Sequence, residues 1–409
     1  LDGKKIPIRQ IVEKKLQGEV EVFNLESNRL ELTRIKNWIE SPRNGRKIYT
    51  VTTKSLRNRY KSYLTNDHKV LTEKRGWQKV EDLHLEEKIL TPFPCPNFNQ
   101  MALLTGSLLG DMCLTTKKIK GESLLSMFSE VHSEKQESYL RLKFEALRSM
   151  DCNVIKVPAN IDKKRPNDHF QLYSKSNPFL NELRKIWYPE GEKIVPRDFI
   201  KEHFTPFSLA AWYMDDGSLS KGIAEIATNG FKKEDVEWLI SYLNSMKLPC
   251  YLYEGKKSGL KNYGCRIFFT NKGTENLCEM IKEFVPPSLQ YKLLDEYKGF
   301  FNESLWSNST ALPFYDESKV EWAPDNKTTS GGNTVYCLEV ESPHSNFAAN
   351  AVIVHNCEED IKSVGFKFHM NNINAAIGLA NIKHIDSIVG QHKANAKYYD
   401  LMLAGMSGV

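Results

Sequence analysis

Two segments of this chain, LLTGSLLGDM at residues 103–112 and SLAAWYMDDG at 208–217, share one arrangement. Each strings small and apolar residues along a helical period and sets an acidic residue near the C-terminal end, Asp111 in the first and Asp216 in the second. Gly106, Ala210 and Ala211 leave room for two backbones to approach, so helices packed side by side would bring Asp111 and Asp216 together. A helix C-terminus favours cations, so paired carboxylates there gain nothing from the helix itself. They call for metal ions, and Mg2+ shared between carboxylates and phosphates would supply both the charge and an activated water. One such segment alone reads as a core helix ending in a solvent-facing Asp. Two copies 105 residues apart favour a built pair, and Pro206 suits the first turn of the second helix.

The 409 residues exceed one typical core and predict two or three domains. Residues 1–91 read as an all-β module of short strands, beginning in strand at the amino terminus and including a Gly76 turn within KVLTEKRGWQKVEDL. The Pro-rich TPFPCPNFNQ at 91–100 marks a boundary. Residues 92–300 alternate helix and strand as two tandem α/β units of about a hundred residues each. A loop-rich connecting segment, 301–332, precedes renewed strand character at 333–356, as though the first module were completed after a long insertion. Residues 357–409 carry an amphipathic helical pattern too short to make its own core.

The composition is globular, 41% hydrophobic and 26% charged, which excludes a largely disordered chain. A net charge of +5 permits a nucleic-acid partner without demanding one. The eight cysteines contain no Cys-x-x-Cys pair, which argues against a zinc ribbon and a disulfide framework. No apolar run approaches a membrane span and the start lacks a signal peptide's apolar core, so a soluble, cytoplasmic protein with no membrane partner is expected.

LLTGSLLGD and LAAWYMDDG, extended through KIWYPEGEKIVPRDFIKEHFTPFSLAAWYMDDGSLS, resemble the two signature helices of single-chain LAGLIDADG homing endonucleases. The sixth position of the motif is Leu109 in one copy and Met214 in the other, and the ninth is Met112 in the first. The resemblance implies a pseudo-symmetric α/β domain acting as a monomer on double-stranded DNA with a long asymmetric site. It further implies Mg2+-dependent cleavage of both strands, with Asp111 and Asp216 as the metal-binding carboxylates. Lys175 and Lys272, just after the strand of each half, are the candidate auxiliary lysines. Basic runs at 117–120, 163–165 and 256–261 offer phosphate contacts, or plain solvated faces.

A second constellation flanks this one. Thr65 and His68 lie three residues apart in TNDH, and PHSNFAANAVIVHNC ends on His355, Asn356 and Cys357. An imidazole, an amide able to cyclise and a thiol beyond the peptide bond supply a proton carrier, a self-cleaving group and a nucleophile. In this order, with VYCLEVESPHSNF, they resemble the Hint domain of a self-splicing intein, covering residues 1–91 and 333–357. The resemblance implies that Thr65 and His68 strain the upstream junction and that Cys357 attacks the resulting thioester. His344 and His355 would move protons while Asn356 cyclises, and Cys337 would coordinate the junction steps or serve as a buried strand cysteine. Such elements begin with a nucleophilic Cys or Ser, so truncation just before Leu1 is expected, and the chain as it stands should not splice, although Asn356 keeps the chemistry to cyclise and cleave after itself.

The tail GFKFHMNNINAAIGLANIKHID resembles the pyridoxal-phosphate-dependent sugar aminotransferases related to DegT, DnrJ, EryC and StrS, with Lys367 and His369 in their active-site loop. That resemblance implies a host enzyme, dimeric when complete, whose cofactor lysine lies outside this region. The expected architecture is therefore a β-rich splicing domain interrupted by an α/β endonuclease and followed by a helical host fragment. Rival readings are a splicing element with an inactive DNA-binding insert, and a fragment whose identity is simply the aminotransferase.

Overall fold

A computed structural model of the chain describes residues 5–27, 29–56, 60–119, 122–159, 167–254, 265–307, 310–323, 333–341, 343–350 and 352–356, then 384, 386–387, 389–393 and 395–396. Two compact units are present, Leu1–Cys357 and Glu358–Val409. In the second, 386–387, 389–393 and 395–396 are helical. Cys357, Lys367, His369, nearly all of the tail motif, Lys120, the basic runs at 163–165 and 256–261, and the side chains of 117–119 lie outside the described residues. Among the described residues no helix is long and apolar enough to cross a membrane.

Both ends of the first unit build two β-sheets. The larger runs Asn346–Ala349, Val352–His355, Lys69–Thr72, Lys88–Cys95, Leu312–Trp322, Ile48–Thr53 and Ser62–Thr65, with Gly76–Lys79 paired to Lys69–Thr72. The smaller joins Glu19–Asn24, Arg29–Pro42 and Thr334–Val340. Strands from before residue 96 and after residue 311 thus complete one another. Gly76 takes φ +67° in the tight turn ahead of its strand, a conformation that costs glycine little.

Two expectations change here. The strand Leu312–Trp322 lies inside the stretch 301–332 that the sequence presents as a connection, and it pairs with Lys88–Cys95 on one side and Ile48–Thr53 on the other. Its polar middle, Asp316 to Lys319, disguises it. Asp316 is buried nonetheless, because the Ser55 N–H and hydroxyl both donate to its carboxylate, at 2.8 and 3.1 Å. Near the amino terminus, Ile8–Glu13 is a helix rather than a strand, since Ile8, Ile11 and Val12 share one face and the last two are buried.

The α/β part repeats itself. Its first half places the strands Cys113–Ile119, Glu122–Ser133, Cys152–Val157 and His169–Ser174 so that the spatial order is third, fourth, second, first. The second half, Gly217–Ser220, Ile223–Ala227, Cys250–Glu254 and Cys265–Phe269, has the same order read from the other edge. In each, one helix follows the second strand (Glu137–Leu147; Lys233–Ser245) and another follows the fourth (Pro178–Trp187; Asn271–Ile281). Asn97 and Asn177 tie this part to the β-sheets by donating to the carbonyls of Thr310 and Pro94, both at 2.8 Å.

Each half opens with its acidic-ended helix. Phe98–Leu109 starts at a capping box, in which the Asn97 side chain accepts from Gln100 N–H and Gln100 returns to Asn97 N–H. Pro206–Asp216 starts at a second, built from Thr205 and Ser208 with Pro206 at the first turn. The two helices pack against one another through Gly106, where an added β-carbon would stand 2.1 Å from the Ser208 carbonyl oxygen. Ser208 seals the crossing by donating its hydroxyl to the Ala102 carbonyl at 2.7 Å. Replacing Gly106 by Ala must therefore push one helix away, and G106A is expected to cost about 1–3 kcal/mol in chemical denaturation. G230A, where nothing lies within 4 Å of an added β-carbon, should stay within about 0.5 kcal/mol of the parent.

Candidate functional site

Beyond the crossing, the helix ends bring three carboxylates together. Asp111 follows the first helix through Gly110, and its side chain is 42% exposed. Asp215 and Asp216 are the last two residues of the second. The Asp111 N–H points at Asp215 Oδ2 over 3.4 Å, and a β-carbon on Gly110 would meet that same carboxylate at 2.5 Å. Asp216 shows the crowding: burial, then the charges of Asp111 and Asp215, push its carboxyl up to about 7, against the pull of Lys193 and Lys292.

Asp215 belongs to a buried network. Lys143, on Glu137–Leu147 and fully buried, donates to both Asp215 oxygens at 2.8 and 2.9 Å and to Glu130 Oε1 at 2.5 Å. The Tyr139 hydroxyl donates to Asp215 Oδ1 at 2.8 Å, and His132 Nε2 bonds Glu130 Oε1. Burial pushes the Glu130 carboxyl up, but Lys143 and His132 outweigh it and hold it down at about 2. Burial likewise pushes Lys143 down, and its two carboxylates more than restore it. His132 behaves in the same way, with burial outweighed by Glu130. Removing Lys143 would leave the buried carboxylates of Asp215 and Glu130 without their shared cation.

Two lysines brace the helix ends. Lys193 Nζ donates to the carbonyls of Gly110 and Met112, at 3.1 and 3.2 Å, on either side of Asp111. Lys292 Nζ donates to the Met214 carbonyl at 2.6 Å, two residues before Asp216. Burial lowers both ammonium groups, and the three aspartates oppose it. The lysines that the sequence suggests lie elsewhere. Lys175 is 74% exposed and 3.8 Å from Asp151, and Lys272 is 70% exposed and bonds Glu275 at 3.0 Å, so neither is drawn into this cluster. The available signal was a lysine followed by two apolar residues in both halves, Lys193-Ile-Val and Lys292-Leu-Leu, together with Lys143 on the apolar face of its helix.

Ligand atoms of Asp111, His132 and Asp215 lie within 4.8 Å of one another, close enough for a divalent cation to be held among them.

The second constellation lies in the larger sheet. Thr65 is buried at the end of Ser62–Thr65, and its carbonyl accepts the His68 N–H at 3.1 Å across a turn. The next strand, Lys69–Thr72, pairs with Val352–His355 through Val70 and Val354. His355 sits edge-on to Trp77, with ring centroids 5.0 Å apart, and its Nδ1 is 2.8 Å from the Asn356 carbonyl oxygen. Asn356 N–H donates to the Ser345 carbonyl at 2.7 Å, so His344 and Asn356 flank one hydrogen bond. Asn356 Oδ1 is buried with no hydrogen-bond partner among the described residues. His344 Nε2 lies 3.5 Å from Glu31 Oε2. Cys337 is buried in Thr334–Val340, opposite Ile39 in the smaller sheet.

Residues 101–277 match the LAGLIDADG DNA endonuclease family, and 339–409 match the DegT/DnrJ/EryC1/StrS aminotransferase family, the second match beginning within the strand Thr334–Val340. A stretch matching a DNA endonuclease family and a stretch matching an aminotransferase family thus occur in one chain. Among curated proteins it is similar to Protein RecA of Mycobacterium gastri, 26% identical over 386 residues, which covers 88% of this chain and 86% of the relative. It is also similar to cytochrome b mRNA maturase bI2 of Debaryomyces hansenii, 28% identical over 207 residues, 48% of this chain and 76% of that one. Among solved structures, the homing endonuclease I-WcaI bound to its DNA recognition sequence aligns over 51% of this chain and 89% of its own, with 24% identity and a TM-score of 0.40. A DnaB intein from Synechocystis sp. PCC 6803 aligns over 22% and 59%, with 22% identity and a TM-score of 0.20.

Asp216 carries a stability consequence. Its folded value of about 7 stands above the ordinary 3.8, so the folded chain favours the protonated form. Stability from this group is complete below about pH 4 and is lost as pH rises through 7. D216N removes the titration, so its melting temperature is expected to exceed the parent's at pH 8, with the difference shrinking by pH 5 in calorimetry without divalent cations.

Proposed function

We propose that the α/β part of this chain is a site-specific endonuclease cutting both strands of DNA, carried within a self-splicing element. The observation that carries the first half is the meeting of the acidic helix ends, tight enough at Gly106 for the charge of Asp111 to act on Asp216. The family match over 101–277 supports DNA as the substrate. Two halves of one topology in a single chain support a monomer reading a long asymmetric site.

Asp111 and Asp216 are the residues that would hold Mg2+, which when bound supplies positive charge at the scissile phosphates and acidifies a water. The protein's own part is positioning. Lys193 and Lys292 fix the backbone carbonyls around each acid, so that neither carboxylate retreats from its neighbour. Lys143 engages Asp215 and Glu130 together, leaving Asp111 and Asp216 as the carboxylates outside that network.

The splicing reading is favoured by a separate observation, the 2.8 Å contact of His355 Nδ1 with the Asn356 carbonyl. That carbonyl belongs to the Asn356–Cys357 bond. When the Asn356 side-chain nitrogen attacks its carbon, a C–N bond forms to give the succinimide, the bond to Cys357 breaks, and the Cys357 amine leaves with a proton. A donor at the oxygen stabilises the charge that develops there. Thr65 and His68 act at the upstream junction, the Cys357 thiol attacks the thioester formed there, and His344 with Cys337 assists. The segment 357–409 then joins the rest of a host aminotransferase, dimeric and dependent on pyridoxal phosphate only when complete.

Purified protein with Mg2+ should cut DNA spanning the uninterrupted host junction, and D111N or D216N should abolish cutting in a gel assay while leaving binding within a few-fold. Binding without cutting by the parent across Mg2+ concentrations would instead support an inactive insert. In intact-mass spectra the parent should release the segment after Asn356, and N356A should release none.

A further inference from the structure

We propose that His132 is a ligand to the metal held at Asp111, giving that one position a nitrogen donor and a preference for transition-metal divalent cations over Mg2+; the inference rests on the endonuclease reading. His132 and Glu130 alternate on the strand Glu122–Ser133 and face the same side, with the His132 side chain only 1% exposed. The bond from Nε2 to the Glu130 carboxylate orients the ring and turns Nδ1 the other way. Nδ1 there faces Asp111 Oδ2 at 3.9 Å and Gln136 Oε1 at 3.3 Å. Without a metal, a proton on Nδ1 is shared between these two oxygens; a divalent cation bound there would take that proton's place.

The spacing fits one ion. Two ligands each about 2.1 Å from a metal stand roughly 3.0–4.2 Å apart over coordination angles from 90° to 180°. Asp215 shares the 4.8 Å cluster, but its oxygens are committed to Lys143, Tyr139 and the Asp111 N–H, so it is a neighbour rather than a ligand. A carboxylate behind a histidine is the usual support for a metal-bound imidazole, because it fixes the ring and raises its basicity. Imidazole suits transition metals, whereas Mg2+ prefers an all-oxygen shell.

The arrangement is one-sided. The segment 217–227 of the second half contains no histidine, and Glu225 on its second strand accepts from Arg266 and Ser218, both at 2.9 Å. The imidazole thus comes from the first half's strand, beside Asp111, and the matching segment of the second half supplies none.

Mn2+ bound to the full chain is the probe. Pulsed electron paramagnetic resonance should show a directly coordinated nitrogen in the parent, with the coupling changing isotope when histidine is 15N-labelled, and none in H132Q. Calorimetric titration should show Mn2+ binding weakened about 10–100-fold in H132Q and in E130Q. Mg2+ binding in the same variants should move less than about threefold, as its oxygen ligands remain. Mn2+ bound without nitrogen coupling, in a parent that cuts DNA, overturns this inference alone. A parent that neither binds Mn2+ nor cuts DNA removes it together with the endonuclease reading. Because the labelled parent carries the decisive signal, a variant that fails to fold does not blunt the test.

Discussion

The absence of a side chain at Gly106 governs the α/β part. It lets the Ser208 carbonyl come where a β-carbon would otherwise stand, and Ser208 then ties its hydroxyl across to Ala102. With the helices held this close, their C-terminal ends have no freedom to diverge, and every acidic residue just beyond them is forced near another. Dispersion and burial along Leu103, Leu104, Leu209 and Ala210 supply the attraction that repulsion among carboxylates would otherwise oppose. Packing wins because it is spread over whole helix faces, whereas the repulsion is confined to one end.

That repulsion is managed unequally. On the first half's side, Lys143 and Tyr139 absorb Asp215 into a buried network, leaving Asp111 partly open to solvent. On the other, Asp216 is mostly enclosed and answers by holding its proton more tightly. Two halves with one strand order therefore present chemically different acids. Duplication of the topology does not carry over into duplication of the electrostatics.

Much of this was legible in the sequence, and the failures have physical reasons. The paired helices were visible because small residues and terminal acids recur in a fixed pattern, and helix and strand followed from period. Leu312–Trp322 was hidden because Asp316 is buried in mid-strand, and only its partner Ser55, 261 residues away, makes that tolerable. Lys193 and Lys292 share only a Lys-apolar-apolar pattern, and their partners are backbone carbonyls that no residue type marks. Lysines after strands attracted notice instead, yet Lys175 and Lys272 turn outward to nearby carboxylates. His132 lay in an ordinary strand pattern, and nothing local distinguished it before Asp111 was seen to face it.

The hydrogen bond from Asn97 to the Thr310 carbonyl spans 213 residues of chain. Closing a flexible loop of that length costs on the order of 5 kcal/mol of chain entropy. The folded α/β part delivers its two ends side by side, with Asn97 and Thr310 in contact. For the β-sheets it therefore behaves as a short turn, and Leu312–Trp322 enters next to Lys88–Cys95 as though it were the next strand of a hairpin. Ribosomal synthesis then sets a clock: Val352–His355 cannot pair with Lys69–Thr72 until the whole insert between them has been made.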